Sequence, residues 1–390
     1  MMEHSNHTTI KVIFSLTLVH FIGDFYYSFV NPLLPAFVDK YSLTLTQVGF
    51  IAAMSRLFAF IIQPWVGYFA DRFRTRFFVL GGPLLAVIFI SLVGIAPNFL
   101  TLLLFISFGA IGTSMFHPPL AGMVSTYSGK HSGFSMSIFN MGGTLAFGVG
   151  PLFITYFVSS YGLGASPFTM LFGLVVVVIL FKIIPLPRQE PLGNLGLVDT
   201  VKEVLGTVWK SIVLIWIIMV LRTVAAQSFM TYIPVLYAKE GYSLVSIGSL
   251  ISIITMAGAI SGLLAGHLSD RFGYKLIFHI AHTLATPSLY LILYLPGNWV
   301  FFSAFWVGFF SMATLPLGLA MALELASKGK SMVASLMMGL AFGTGGMIVP
   351  LVGKMADIFS IRSVLFFIAM IPLLSNGLIS LLPAKKLKHS

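Results

Sequence analysis

Apolar residues fill the chain in long blocks, at 11–38, 44–69, 77–95, 98–124, 132–159, 166–185, 208–238, 244–268, 275–295, 298–325, 331–356 and 361–382. At a helical rise of about 1.5 Å per residue, about 20 residues cross the roughly 30 Å of a bilayer core. The pattern predicts an all-α membrane protein of about twelve transmembrane helices. The breaks hold residues that turn a chain, as in Ala96-Pro97-Asn98, Tyr161-Gly162-Leu163-Gly164, Pro296-Gly297-Asn298 and Lys328-Gly329-Lys330. Strands of a membrane barrel would be about ten residues long and alternate in polarity, which these blocks do not.

The polar breaks repeat. Gly67-Tyr68-Phe69-Ala70-Asp71-Arg72 returns as Gly266-His267-Leu268-Ser269-Asp270-Arg271, so that 266 − 67 = 199 and 270 − 71 = 199. The same offset links Gly49 to Gly248, Pro35 to Pro234 and Pro151 to Pro350. A six-helix segment is therefore written twice, as residues 1–184 and 208–390. The connection 185–207, with Pro185, Pro187 and Pro191, is expected to lie along the cytoplasmic surface. Two parallel six-helix pseudo-repeats are the plan of a transporter that rocks around a central site.

Composition strengthens this reading. Hydrophobic residues make up 58% and charged residues 8%, which leaves too little polar surface for a water-soluble globule. The absence of cysteine excludes disulfides and thiolate chemistry. A net charge of +11 could suggest nucleic acid, but the basic residues stand between apolar blocks instead of forming a basic domain, so no nucleic-acid partner is expected. Their placement reports orientation. With the N-terminus inside, the cytoplasmic breaks hold Arg72, Arg74, Arg76, Lys130, Lys182, Arg188, Lys202, Lys210, Arg271, Lys275, Lys328, Lys330, Lys385, Lys386 and Lys388, against Lys40, Lys239, Lys354 and Arg362 outside. Residues Met1 to Thr9 lack a cleavable signal pattern, so the first block is expected to stay as a helix. The expected location is the inner membrane, as a multi-pass monomer with both termini cytoplasmic.

The two charged islands resemble the signature of the major facilitator superfamily between helices two and three, Gly-x-x-x-Asp-Arg/Lys-x-Gly-Arg-Lys/Arg. The second copy keeps Gly273 where the first has Arg74. The signature has a physical reading: an Asp at a cytoplasmic helix end accepts bonds from the free N–H groups of a neighbouring helix start, where the dipole favours negative charge. Asp71 is placed to reach the start of helix eleven near Ser331, and Asp270 the start of helix five near Ser132. Arg72 and Arg271 would pair with neighbouring acids or carbonyls, Glu324 being the expected partner of Arg271. These five residues form a candidate inner gate.

Charges inside hydrocarbon cost about 2.5–3.5 kcal/mol or more, so they are functional candidates. Counted from the outer ends of their helices, Asp24 and Arg56 share a depth of roughly 18–23 Å. They are candidates for an ion pair, either static or broken by substrate. Arg222 falls near mid-membrane on helix seven and suits an anionic substrate such as a carboxylate, phosphate or phosphonate. The alternative is a pair between Arg222 and Asp24 or backbone carbonyls. His20, one turn before Asp24, can share its proton. His117, ahead of Pro118-Pro119, sits where a broken helix would free carbonyls. His20 and Asp24 are thus the proton-coupling candidates; Arg56, His117, Asn140, Arg222 and Gln227 are the substrate-binding ones. His279 and His282 read as structural. The spacing of His20, Asp24 and His117 does not point to a metal, no cofactor is expected, and no nucleophile, base and orienter set marks an enzyme.

The run Asn140-Met141-Gly142-Gly143-Thr144-Leu145-Ala146-Phe147-Gly148-Val149-Gly150-Pro151 lets helices approach and slide. It loosely resembles the Gly-Pro motif of proton-driven antiporters, with Ala146 in place of a glycine. Several stretches are similar to the bacterial fosmidomycin-resistance efflux family: Asp24 with Pro32-Leu33-Leu34-Pro35, Gln63-Pro64, Phe116-His117-Pro118, Ser137-Ile138-Phe139-Asn140-Met141-Gly142-Gly143 and Leu336-Met337-Met338-Gly339-Leu340-Ala341-Phe342-Gly343. Pro119 stands where that family often has an acid, so any proton role of that acid is absent. The resemblance implies proton-driven antiport exporting a small amphipathic or anionic compound, as in antibiotic efflux. Import of an organic anion is the alternative, and a membrane enzyme or receptor the remote one.

Overall fold

The computed structural model describes residues 2–72, 76–127, 132–186, 206–325, 333 and 336–382. The described secondary structure is helical. Helices α1 (Met2–Tyr27), α2 (Val30–Tyr41), α3 (Leu45–Arg72), α4 (Phe77–Ser91), α5 (Phe99–Tyr127), α6 (Ser132–Tyr161) and α7 (Thr169–Ile183) come first. They are followed by α8 (Trp209–Lys239), α9 (Leu244–Phe272), α10 (Tyr274–Tyr294), α11 (Trp299–Leu325), a π-helical stretch Leu336–Ala341, α12 (Phe342–Met347), α13 (Val349–Ile358), α14 (Ile361–Ile368) and α15 (Ile371–Ser380). Among the described residues these make twelve apolar spans long enough to cross a bilayer. The protein is a multi-pass membrane protein. Its outward surface is apolar, with Phe168 79% and Leu263 76% exposed, as a lipid solvent requires.

The extra helices arise where single blocks are broken, and proline explains the breaks. A proline at position i has no N–H to return to the carbonyl at i − 4, and its ring crowds that carbonyl. Pro32 lies four residues after Ser28, between α1 and α2, and Pro372 four residues after Ile368, the end of α14. Pro350 lies four residues after Gly346, next to the break between α12 and α13. Pro118 and Pro119, in contrast, sit inside an unbroken α5.

Helix starts follow local chemistry. Thr44 and Gln47 form a reciprocal capping box at the start of α3: Thr44 N–H donates to Gln47 Oε1 at 2.9 Å and Gln47 N–H to Thr44 Oγ1 at 3.2 Å. At the repeat-related position 44 + 199 = 243, Ser243 Oγ accepts from Ser246 N–H at the start of α9.

The chain packs as two compact units. Unit 1 comprises Met1–Leu43, Leu57–Gly193 and Tyr242–Ser252; unit 2 comprises Thr44–Arg56, Asn194–Gly241 and Ile253–Ser390. Each unit thus takes the first turns of one helix from the other sequence repeat. The repeat-related residues show why. In unit 2 a Cβ on Gly49 would lie 2.6 Å from Pro350 Cα; in unit 1 a Cβ on Gly248 would lie 2.8 Å from the Pro151 carbonyl oxygen. The glycine and proline that recur at the 199-residue offset therefore meet crosswise, each glycine admitting the other repeat's proline turn.

Within unit 2 this junction is strengthened by one acid. Asp357 on α13 accepts from the Leu45 N–H at 2.7 Å, the Thr46 N–H at 2.9 Å and the Thr46 hydroxyl at 2.6 Å, capping α3 from outside its own segment. Tyr232 donates to the Val349 carbonyl at 2.8 Å beside it. The offset position, 357 − 199 = 158, is Val158, so the repeat has no second copy of this contact. Asp357→Ala is expected to destabilise the protein by about 1–2 kcal/mol and Asp357→Asn by less. Thermal unfolding in detergent reads this order; an unchanged midpoint for Asp357→Ala contradicts it.

Unit 1 packs on Leu16 and Val19 of α1, Val79 of α4, Phe116 and Leu120 of α5 and Phe139 of α6. Unit 2 packs on Ile215 and Met219 of α8, Phe278 of α10, Leu317 of α11 and Ile379 of α15. Both cores lie directly against polar residues singled out in the sequence.

Candidate functional site

In unit 1, α1 turns His20 and Asp24 to one face, a single turn apart. His20 Nε2 lies 3.1 Å from Asp24 Oδ2. His117 comes from α5, and its Nε2 lies 3.4 Å from Asp24 Oδ1. Asp24 and His20 are buried, while the His117 side chain is 33% exposed and forms the open rim.

Both rings are anchored through their other nitrogen. His20 Nδ1 lies 2.9 Å from the Phe139 carbonyl of α6, and His117 Nδ1 lies 2.6 Å from the Thr113 carbonyl. A carbonyl oxygen only accepts, so these partners assign a hydrogen to each Nδ1 and aim each Nε2 at the carboxylate. A bare Nε2 lone pair facing a carboxylate oxygen gains nothing. Each of the two contacts therefore needs a proton, held on the ring or on the carboxyl. One carboxyl supplies at most one, so with both contacts closed at least one ring is an imidazolium.

The packing fixes these positions. His20 stacks on Phe139 with centroids 4.2 Å apart and meets His117 edge-on at 5.0 Å, and His117 stacks on Phe116 at 4.4 Å. Behind the carboxylate lies Gly143 of α6. A Cβ there would sit 2.6 Å from His20 Nε2 and 2.9 Å from Asp24 Oδ2. The sequence marks Gly143 as one of a run that eases helix sliding; the structure gives it a particular task, holding room for the triad. The same three residues supply ligand atoms within 4.8 Å of one another, so His20, Asp24 and His117 are also the residues that could hold a divalent cation.

In unit 2, Arg56 on α3 donates through Nη2 to Gln227 Oε1 on α8 at 3.2 Å. Two residues singled out separately are thus in contact. Arg222 is buried on α8 and faces a small cavity bounded also by α10, α11 and α15. Asn140 is exposed on α6. Asp71 and Arg72 close α3, Asp270 and Arg271 lie at the end of α9, and Glu324 lies at the end of α11. Arg271 is exposed with its guanidinium 5.3 Å from the Phe272 ring centroid, and Glu324 is exposed as well. The side chains of Asp71, Arg72 and Asp270, Ser331, the Ser132 side chain and most of 185–207 lie outside the described residues, so the contacts read from the sequence for Asp71 near Ser331 and Asp270 near Ser132 lie there too.

Three features escape sequence reasoning. Asp357 meets a helix start more than 300 positions away, which no local pattern records. Gly143 is one small residue among several. His282, read as structural, faces the same cavity as Arg222.

The family model described as the Major Facilitator Superfamily matches residues 16–296 and 241–390. The fosmidomycin resistance protein of Escherichia coli (strain K12) is 26% identical over 373 residues, covering 94% of this chain and 91% of the relative. An uncharacterized MFS-type transporter of Bacillus subtilis (strain 168) is 26% identical over 386 residues with the same coverage. Among solved structures, a bacterial homolog of the human lysosomal transporter Spinster superposes with a TM-score of 0.78 at 15% identity, covering 95% of this chain and 96% of that one. The nucleoside transporter NupG superposes with a TM-score of 0.75 at 14% identity, covering 95% and 98%. At these identities the structures speak for the fold.

Proposed function

The chain belongs to the major facilitator superfamily, and from that premise we propose that it is a proton-coupled antiporter, working by alternating access, that exports a small amphipathic or anionic compound. The observation that carries the reading is the triad of His20, Asp24 and His117, whose two nitrogen–oxygen contacts each need a proton. Removing those protons turns both contacts repulsive. The triad joins α1 to α5, and through His20 and Phe139 to α6, so its protonation state biases how these helices pack. Protonation can therefore select between two arrangements of the helices, which is what coupling requires.

Arg56, Arg222, Gln227, His117 and Asn140 are the substrate-binding residues in this reading. Export, and not import, is favoured by the resistance protein among the relatives. Asp71, Arg72, Asp270, Arg271 and Glu324 act as the inner gate, and residues 1–184 and 208–390 act as the two six-helix halves joined by 185–207. The protein is placed as a monomer in the inner membrane with both termini in the cytoplasm.

The test is flux in proteoliposomes. Organic anions and antibiotics that raise the unfolding temperature of purified protein are loaded on one side, a pH gradient is imposed, and a trapped dye reports protons. The expected result is substrate movement against the proton gradient and dissipation of that gradient by substrate. Compounds that bind but neither move with the gradient nor collapse it would overturn the proposal.

A further inference from the structure

The triad of His20, Asp24 and His117 has the make-up of a metal site as well as of a proton site. The spacing along the chain gives no metal pattern, because His117 stands on another helix. The packing of α5 on α1 supplies it, and two imidazoles and one carboxylate then offer three ligand atoms within 4.8 Å of one another. His20 and Asp24 are four positions apart on α1, a spacing at which two side chains of one helix face grip a single ion.

Proximity is joined by orientation. Each ring holds its Nδ1 against a backbone carbonyl, His20 against Phe139 at 2.9 Å and His117 against Thr113 at 2.6 Å. Metal-bound histidines are held in the same way, with the outer carbonyl fixing the tautomer and aiming a bare Nε2 inward. Zinc bonds to nitrogen and oxygen are about 2.0–2.2 Å long, so adjacent ligand atoms of a tetrahedron stand about 3.3–3.5 Å apart. The Nε2 atoms of His20 and His117 lie 3.1 and 3.4 Å from the carboxylate oxygens they face, and a tilt of the His117 ring draws the set around one ion. His20 and Asp24 are 7% and 4% exposed, whereas the His117 side chain is 33% exposed. Two ligands are thus shielded, and the third borders open space that gives an entry path and a fourth position for water.

Charge and ligand type then select the ion. With hydrogens on both Nδ1 atoms and none on either Nε2, the triad carries one negative charge, and one dication or two protons bring it equally to one positive charge. A dication satisfies both contacts at once, where each proton satisfies one. Imidazole with carboxylate suits zinc and its transition-metal neighbours. Magnesium and calcium ask for a shell of oxygens, of which this carboxylate supplies two.

We propose that His20, Asp24 and His117 form a binding site for a transition-metal dication of zinc's class, with water in the fourth position. Metal and protons then occupy the same atoms, one dication in place of two protons.

Zinc titration of the full-length protein tests this, after any purification tag is cleaved and a chelator has removed metal. Calorimetry in detergent at neutral pH is expected to show one site with a dissociation constant of about 1 μM or below, unaffected by an excess of magnesium. His117→Gln and Asp24→Asn each remove a ligand and are expected to weaken binding by about 100-fold. His279→Gln on α10 is expected to leave it unchanged. Nitrogen NMR of the unaltered, histidine-labelled protein needs no variant to fold: one equivalent of zinc should shift the Nε2 signals of His20 and His117 and leave their Nδ1 hydrogens in place. No zinc binding, binding that magnesium displaces, undiminished binding in His117→Gln and Asp24→Asn, or zinc that shifts only other histidines each overturns the proposal. Zinc binding does not need flux, so a protein that fails to couple protons leaves this result standing, and failure here leaves the proton reading standing.

Discussion

Asp24→Asn is expected to abolish accumulation driven by a pH gradient while leaving exchange of substrate for substrate intact. One pH unit is worth about 1.4 kcal/mol per proton and supports up to about tenfold accumulation in a one-for-one exchange. An asparagine keeps the size of the side chain at position 24. It can donate to one Nε2 lone pair and accepts from the other ring only while that ring is an imidazolium, so the contacts of His20 and His117 with position 24 close with a single ring proton. What it loses is the negative charge that lets protons load and unload there. Gradient-driven accumulation in proteoliposomes should fall to about onefold, with counterflow under equal pH on both sides near that of the unaltered protein. Tenfold accumulation by Asp24→Asn would remove Asp24 from the coupling path.

The second large effect is steric. Gly143→Ala places a methyl 2.6 Å from His20 Nε2 and 2.9 Å from Asp24 Oδ2, distances at which something must move. Overpacking of this kind costs about 1–3 kcal/mol, or about 5-fold to 150-fold in the population of the closed triad. Driven flux is expected to fall by about tenfold or more at equal amounts of folded protein. Gly122 on α5 is the matched control, since a Cβ there meets nothing within 4 Å. Gly122→Ala should be neutral or slightly stabilising, as alanine restricts the unfolded chain more than glycine. Equal flux in the two variants would mean that the space behind Asp24 is not used.

Much of this molecule is written in short-range patterns. The twelve spans follow from apolar block length, the start of α3 from Thr44 and Gln47, and the helix breaks before Pro32, Pro350 and Pro372 from the missing proline N–H. His20 and Asp24 could be joined from the sequence because a helix brings i and i + 4 together. His117, 97 residues from His20 (117 − 20 = 97), could be suspected from its prolines but not assigned to that carboxylate. Its partner depends on how α5 packs against α1, which no period in the sequence encodes. The sequence pointed Asp24 toward an arginine because charge alone is visible there; within unit 1 the groups that hold it are two histidines, whose charge depends on protons. Asp357 was passed over because it stands at a helix end among other charges, and its value comes from a helix start distant in the chain. His282 was passed over because a lone histidine on an apolar helix usually packs, and the missing partner of its Nε2 is visible only in three dimensions.

The central claim is that the triad holds protons, and nitrogen NMR of histidine-labelled protein measures this without knowing the substrate. With both contacts closed, the ring of His20, His117 or both should show hydrogens on Nδ1 and Nε2, and Asp24→Ala, which removes the carboxylate that both rings face, should reduce this signal at the same pH. Assignment comes from the single variants His20→Gln and His117→Gln. Two rings that keep a bare Nε2 at every pH, in a protein that otherwise titrates normally, would contradict the account.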